Sequence, residues 1–157
     1  GEKEIANRFY VLAEALNDLV EGIPHPLFKV EAPTNKRGRK PDTSAIWRIR
    51  SNVCIAIEFM KAGGMTEDDA IAQVSKVHKA ALVNLLRPNT EIKSSIKTWL
   101  KSFANDEVRN EVALSSYKHG VAPLSSLRLK FSGDQIRHVG EHLILDAAKW
   151  ASSIVKI

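Results

Sequence analysis

Residues 65–103 decide the fold, and they read MTEDDAIAQVSKVHKAALVNLLRPNTEIKSSIKTWLKSF. The pattern predicts two amphipathic helices separated by a break at residues 87–90, because Pro88 cannot continue a helix. Thr66 is the expected N-cap of the first helix, and the three acidic residues after it favour the positive end of the helix dipole. Through Leu86 one face of this helix is predicted to be buried, and it holds Ala70, Ile71, Val74, Val77, His78, Ala81, Leu82 and Leu85.

The second helix, predicted from Ile92 to Phe103 with Asn89 or Thr90 as its N-cap, has two chemically different faces. Apolar residues recur every three or four positions and form one buried stripe, namely Ile92, Ile96, Trp99, Leu100 and Phe103. The opposite face has no carboxylate on this helix and carries Ser94, Lys97, Thr98 and Lys101, with Lys93 on its flank. Such a face suits phosphates and base edges, and it fits a solvated basic surface equally well.

Working outward, the same periodicity predicts helices over residues 4–20, from about Ser44 to Met60, from Asn105 to Gly120 and from Ser132 to about Lys156. The helix over residues 4–20 buries Ile5, Phe9, Leu12, Leu16 and Leu19. The next is expected to be central, because its apolar stripe is broad: Ile46, Trp47, Ile49, Val53, Cys54, Ala56, Ile57 and Met60. The last begins with a capping box of Ser132 and Gln135, and its stripe contains Ile136, Val139, Leu143, Ala147, Trp150 or Ala151, and Ile154.

The expected architecture is therefore an all-α, compact orthogonal bundle of about six helices that forms one domain over residues 1–157. Within residues 121–131, Leu127, Leu129 and Phe131 alternate with Arg128 and Lys130, which predicts a short strand or an extended loop there. Of the 157 residues, 44% are hydrophobic and 26% are charged, as in an ordinary globular chain. No apolar run approaches the ~20 residues of a membrane span, and the single cysteine, Cys54, is expected to be a buried thiol. A cytoplasmic location without membrane contact is expected.

The net charge of +5 is concentrated in two stretches of the chain. Residues 36–61 carry seven basic and two acidic side chains, and residues 87–104 carry four basic and one acidic. Two basic stretches on either side of a nearly neutral helix are typical of a surface that binds a polyanion. The candidate contact residues in the two stretches are Arg37, Arg39, Lys40, Arg48 and Arg50, followed by Arg87 and the polar face of the Ile92–Phe103 helix.

Residues 65–104 resemble the helix-turn-helix pair of DNA-binding proteins, of the type found in resolvases, transposases and phage regulators. Small apolar residues stand in the first helix at Ala70, Ala72 and Val74, and the second helix carries Ile96-Lys97-Thr98-Trp99. The resemblance implies that Ser94, Lys97, Thr98 and Lys101 face the major groove and that Arg87 and Lys93 contact phosphate. It also implies a transcriptional regulator or a mobile-element accessory protein of bacterial or phage-like origin, with double-stranded DNA as its partner.

Residues 31–43 form a polar linker in which Lys36-Arg37-Gly38-Arg39-Lys40-Pro41 resembles the AT-hook core, Arg-Gly-Arg-Pro. Lys40 separates Arg39 from Pro41, which departs from that core. The resemblance implies an arginine-rich arm in the minor groove, and a flexible basic arm releases counterions from phosphates in any case. A solvated basic loop is the alternative.

Enzymatic functions have weaker support. His138-Val139-Gly140-Glu141-His142 matches the inverted zinc motif His-x-x-Glu-His, with Asp146 as the acidic residue one turn further on. Two half-exposed histidines on a helix are the simpler interpretation, and no phosphate-binding loop or nucleophile elbow is present. We therefore expect a non-catalytic DNA-binding protein without a metal or another cofactor. The alternative is a protein-interaction module, with a homodimer formed through the long final helix.

Overall fold

The computed structural model describes residues 10, 13, 14, 16–18, 20, 21 and 42–154. Every regular element in these residues is helical, so the predicted all-α class is confirmed. The described part contains seven α-helices with defined bounds, where about six were expected: α1 (Ser44–Ala62), α2 (Glu67–Val77), α3 (Lys79–Leu82), α4 (Ile92–Ala104), α5 (Glu111–Val121), α6 (Leu124–Lys130) and α7 (Gly133–Ser153). A 3₁₀ helix over Val83–Leu85 follows α3 directly.

The chain divides into two compact units, residues 1–47 and 48–157. Whether they form the single domain expected from the length stays a prediction. In the first unit, Asp18 is buried and accepts a hydrogen bond from the backbone N–H of Ser44 at 2.9 Å, while Asn17 donates to the Ser44 hydroxyl at 2.9 Å. Thr43 Oγ1 accepts from the N–H of Ile46 at 3.4 Å, as an N-cap does. These bonds fix the start of α1.

The predicted apolar stripe of the N-terminal helix is wrong at Leu16, which is 50% exposed. Leu16 is exposed because the buried side of this segment carries Asp18, whose carboxylate turns toward α1. The other four residues of that stripe lie outside the described residues. So do Arg37, Arg39 and Lys40, the predicted contact residues of the basic arm.

Helix α1 is central, as its broad stripe predicted. Val53, Cys54, Ala56, Ile57 and Met60 have no accessible surface. Burial raises the pKa of the Cys54 thiol well above its usual range, so the sulfur stays protonated and unreactive. The expectation of a buried, inert cysteine is confirmed.

Glycine at position 140 lets α7 approach α1 at backbone distance. A Cβ atom at Gly140 would lie 2.8 Å from the Ala56 carbonyl oxygen and 2.9 Å from Met60 Cγ. The small residue is therefore required for packing. The buried face of α7 consists of Ile136, Gly140, Ile144, Ala147, Ala148 and Ala151. The predicted stripe is therefore wrong at Val139 (46% exposed), and of the two residues predicted as alternatives, Ala151 is buried and Trp150 is 48% exposed.

The predicted helix from Thr66 to Leu86 is interrupted. Thr66 caps α2 as expected, accepting from the N–H of Asp69 at 3.1 Å, but α2 ends at Val77 and His78 leaves the helical region with φ −110° and ψ 19°. Beyond the break, α3 and the 3₁₀ helix pack against α7 and bury Leu82 and Leu85, whereas Val77, predicted to be buried, is 65% exposed. His78 is half-buried, and burial lowers its pKa.

The turn before α4 also differs from the expectation. Asn89 takes a left-handed conformation with φ +61°, and the hydroxyl of Thr90 donates to the carbonyl of Arg87 at 2.7 Å. Both residues are thereby used within the turn. The N-cap of α4 is Glu91 instead of Asn89 or Thr90.

Two further elements were predicted incorrectly. Helix α5 begins at Glu111, not Asn105, because Asp106 is left-handed (φ +58°) and Asn110 caps the helix by accepting from the N–H of Ala113 at 2.8 Å. Residues 124–130 form helix α6 instead of a strand or loop. None of the α6 side chains is buried, so the alternating pattern there carried no information about a core face.

The start of α7 agrees with the sequence. Ser132 and Gln135 form the predicted capping box, in which each side chain bonds to the backbone of the other. The predicted end at Lys156 lies outside the described residues. Among the described helices, none combines the length and the apolar character that a bilayer span needs.

Candidate functional site

Helix α4 presents the polar face that the sequence predicted. Its opposite side is buried through Ile96, Trp99, Leu100 and Phe103, and α2 packs against it. This anchoring gives the polar face a fixed orientation. All five polar candidates on the helix are exposed to solvent: Lys93, Ser94, Lys97, Thr98 and Lys101.

The two hydroxyl groups on this face are oriented by the helix backbone. Ser94 Oγ donates to the Glu91 carbonyl at 3.0 Å, and Thr98 Oγ1 donates to the Ser94 carbonyl at 2.9 Å. Both hydroxyl protons are used in these hydrogen bonds to the backbone, while the oxygen lone pairs remain available as acceptors. The face therefore combines lysine donors with hydroxyl acceptors.

An acidic side chain from α2 reaches the same face. Lys97 Nζ lies 2.7 Å from Asp68 Oδ1, and both side chains are largely exposed. The hydrogen bond to Lys97, with the charge of that lysine and of Lys93, lowers the pKa of Asp68, and the same bond raises the pKa of Lys97. The expectation of a face without carboxylates is correct for α4 alone and wrong for the assembled surface.

Arg50 is not a surface residue, and its predicted contact with DNA is wrong. Its side chain is 2% exposed, donates from Nη2 to the Leu85 carbonyl at 2.6 Å, and places its guanidinium carbon 5.0 Å from the centroid of the Trp99 ring. These contacts tie α1 to the 3₁₀ helix and to the buried side of α4. Arg50 therefore helps to position α4 through contacts with the buried side of that helix.

The remaining predicted residues in the described chain are at least partly accessible. Arg48 is partly exposed on α1, and Arg87 is exposed in the turn before α4.

Two lysines that the sequence reasoning missed lie beside the α4 face. Lys76 and Lys79 line the same cavity as Lys93, so three amines from three different elements surround one opening. The net charge of residues 62–86 is slightly negative, so the charge distribution along the sequence did not indicate these two lysines as candidates. The usable signal was their spacing, since Ala72, Lys76 and Lys79 follow one another on the side of the predicted Thr66–Leu86 helix away from Ala70 and Val74.

Compared with protein-family models, curated proteins and solved structures, the chain has no match.

The inverted zinc motif forms a histidine pair. His138 Nε2 and His142 Nε2 are 3.1 Å apart, and Glu141 Oε2 lies 3.6 Å from His138 Nδ1. Asp146, the acidic residue considered as a further ligand, pairs with Lys149 at 3.2 Å. Across the described residues, no three His, Cys, Asp or Glu side chains are placed to hold a metal ion together.

Proposed function

We propose that this protein binds double-stranded DNA, without catalysis, through the exposed face of α4. The observation that carries the proposal is the anchoring of α4. One side of the helix is locked in the core, and the other presents Lys93, Lys97 and Lys101 at four-residue spacing with two hydroxyl acceptors beside them. Lysines in one row can follow a phosphate backbone, while Ser94 and Thr98 are short enough to meet base edges.

The packing of α2 against α4 supports a helix-turn-helix-like use of this pair. Residues 78–91 separate the two helices, which is longer than the 3–4-residue turn of the usual motif. Lys76 on α2 and Lys79 at the start of α3 add positive charge next to Lys93. A transcriptional regulator or a mobile-element accessory protein would use such a surface.

Asp68 opposes phosphate binding in the free protein, because it occupies the Lys97 amine. A phosphate that contacts Lys97 must displace this carboxylate. Asp68→Asn should therefore tighten DNA binding by about two- to tenfold at low salt, with a smaller gain at high salt. Equal affinity of Asp68→Asn and the native protein would place the DNA away from Lys97.

The experiment is a fluorescence-anisotropy titration of a labelled random duplex at several salt concentrations. Replacing Lys93, Lys97 and Lys101 with Ala should weaken binding and lower the slope of log K against log salt by about 2–3. The matched control removes three exposed charges from α6 and α7, as Arg128→Ala, Lys130→Ala and Lys149→Ala. An equal loss in both triple variants would contradict a specific role for α4.

Homodimerisation through α7 is the second candidate. Val139 and Trp150 are half exposed and lie on one side of the helix, eleven residues apart. A second copy of α7 would cover these two side chains. Sedimentation equilibrium should show a dimer for the native chain and a monomer for Val139→Ser/Trp150→Ser, and a monomeric native chain would exclude this candidate.

A further inference from the structure

A cavity of about 570 Å³ lies between α2, the 3₁₀ helix and the first turn of α4. Its apolar lining comes from Ala72, Val83, Leu86 and Ile92, and Val83 is 45% exposed to solvent. All four residues keep accessible surface. An apolar molecule in the cavity would remove that surface from water.

The charged residues that line the cavity are mostly cationic, with Lys76, Lys79 and Lys93 against a single acid, Glu91. Ser75 and Thr90 complete its polar lining. Glu91 is the N-cap of the thirteen-residue helix α4, yet its side chain makes no capping bond to the first turn of that helix. The first-turn N–H groups therefore add partial positive charge on the same side of the cavity as Lys93.

The size of the cavity favours a small molecule over a protein partner. Ligand pockets typically enclose about 300–1,000 Å³, with apolar walls and a few polar groups that fix orientation. Stable protein interfaces use roughly 20–30 residues on each side. The cavity is lined by ten.

We propose that this cavity is a binding site for a small organic anion with an apolar body, such as a medium-chain carboxylate. The apolar body lies against Val83, Leu86 and Ile92, and the anionic head lies among Lys76, Lys79 and Lys93. The site does not depend on DNA binding, because the cavity and its charged lining are formed by α2, α3, the 3₁₀ helix, the turn before α4 and the first turn of α4.

Isothermal titration calorimetry with decanoate, below its micellar concentration, tests the site. The uncharged 1-decanol and the head group alone, as acetate, serve as comparison ligands. Decanoate should bind once per chain, 1-decanol at least tenfold more weakly, and acetate without measurable heat. Equal affinities for decanoate and 1-decanol, several decanoates per chain, or no saturable binding would overturn the proposal.

Two variants separate the head site from the apolar walls. Lys76→Gln/Lys79→Gln should weaken decanoate at least tenfold and leave 1-decanol unchanged, whereas Lys118→Gln/Lys149→Gln, two exposed lysines on α5 and α7, should change neither. Val83→Asp places a carboxylate on the exposed wall and should abolish decanoate binding while circular dichroism shows a folded chain. Full-strength decanoate binding to both cavity variants would rule out this cavity. Decanoate binding is measured in the absence of DNA, so a failure here is distinct from a failure of DNA binding.

Discussion

Replacing Arg50 with Ala should destabilise the fold strongly, while the same change at Arg48 should not. Loss of the charge-assisted hydrogen bond to the Leu85 carbonyl costs about 1.5–3 kcal/mol, and loss of the contact with the Trp99 ring costs up to about 2 kcal/mol. The removed stem also leaves a void beneath α4. We expect the free energy of unfolding to fall by about 3–5 kcal/mol for Arg50→Ala. Arg48 is partly exposed, so Arg48→Ala should cost at most about 1 kcal/mol.

The assay is urea denaturation followed by far-UV circular dichroism, with thermal unfolding as a second readout. For a chain of this length, Arg50→Ala should lower the Tm by roughly 6–15 °C. A loss of less than about 1 kcal/mol, or similar losses for the two arginines, would refute the assignment of Arg50 as the residue that positions α4 from below. Wild-type stability of Arg50→Ala together with weakened DNA binding would restore the surface role that its position in the sequence predicted.

Three other perturbations test separate parts of the fold. Gly140→Ala gains about 1 kcal/mol of helix propensity but forces a methyl group to 2.8 Å from the Ala56 carbonyl oxygen. Denaturation should therefore show a net loss of about 1–2 kcal/mol in the free energy of unfolding. A net gain would contradict the close contact of α1 and α7. Burial lowers the pKa of His78, so protonation of this histidine favours the unfolded chain. Stability should therefore fall as the pH drops below about 6.5, until the folded-state pKa is passed. His78→Gln should flatten this part of the pH profile of stability, and an unchanged profile would contradict the role of His78. Ser132→Ala removes a capping box and should lower stability by about 1 kcal/mol, whereas Ser126→Ala, a matched exposed serine on α6, should have a smaller effect.

The amphipathic character of α4 could be predicted because it is a local property of the sequence. Ile96, Trp99, Leu100 and Phe103 recur with the helical period, and the lysines fall on the other side. The caps at Thr66 and Ser132 are equally local, since each bond spans three residues. Such features need no knowledge of the partners that pack against them.

The errors arose where partners distant in the sequence decide the outcome. Arg50 is buried by contacts with Leu85 and Trp99, which lie at least 35 residues away, and arginine is rarely buried without such partners. No glycine or proline marks the break at His78, so the local sequence favoured a continuous helix. Beyond the break, Leu82 and Leu85 are buried where α3 and the 3₁₀ helix pack against α7, a partner that is distant in the sequence.

The candidate surface was predictable only in part for the same reason. Lys93, Lys97 and Lys101 lie on one helix and could be grouped from their spacing. Asp68 and Lys76 join them through the packing of α2 against α4, and Lys79 joins them from the start of α3; no pattern in the sequence specifies either arrangement. Asp68 changes the electrostatics of the surface, so charge counted along the chain overestimates its positive character.

Lysine footprinting tests the central claim, that the exposed face of α4 contacts DNA. Each lysine is acetylated with and without a saturating duplex, and its modification is measured by mass spectrometry. We expect DNA to protect Lys93, Lys97 and Lys101, with weaker protection of Lys76 and Lys79, and to leave Lys118, Lys130 and Lys149 equally reactive. The claim would be contradicted if DNA protected lysines of α5, α6 or α7 and not those of α4. It would also be contradicted if every lysine were equally reactive with and without DNA.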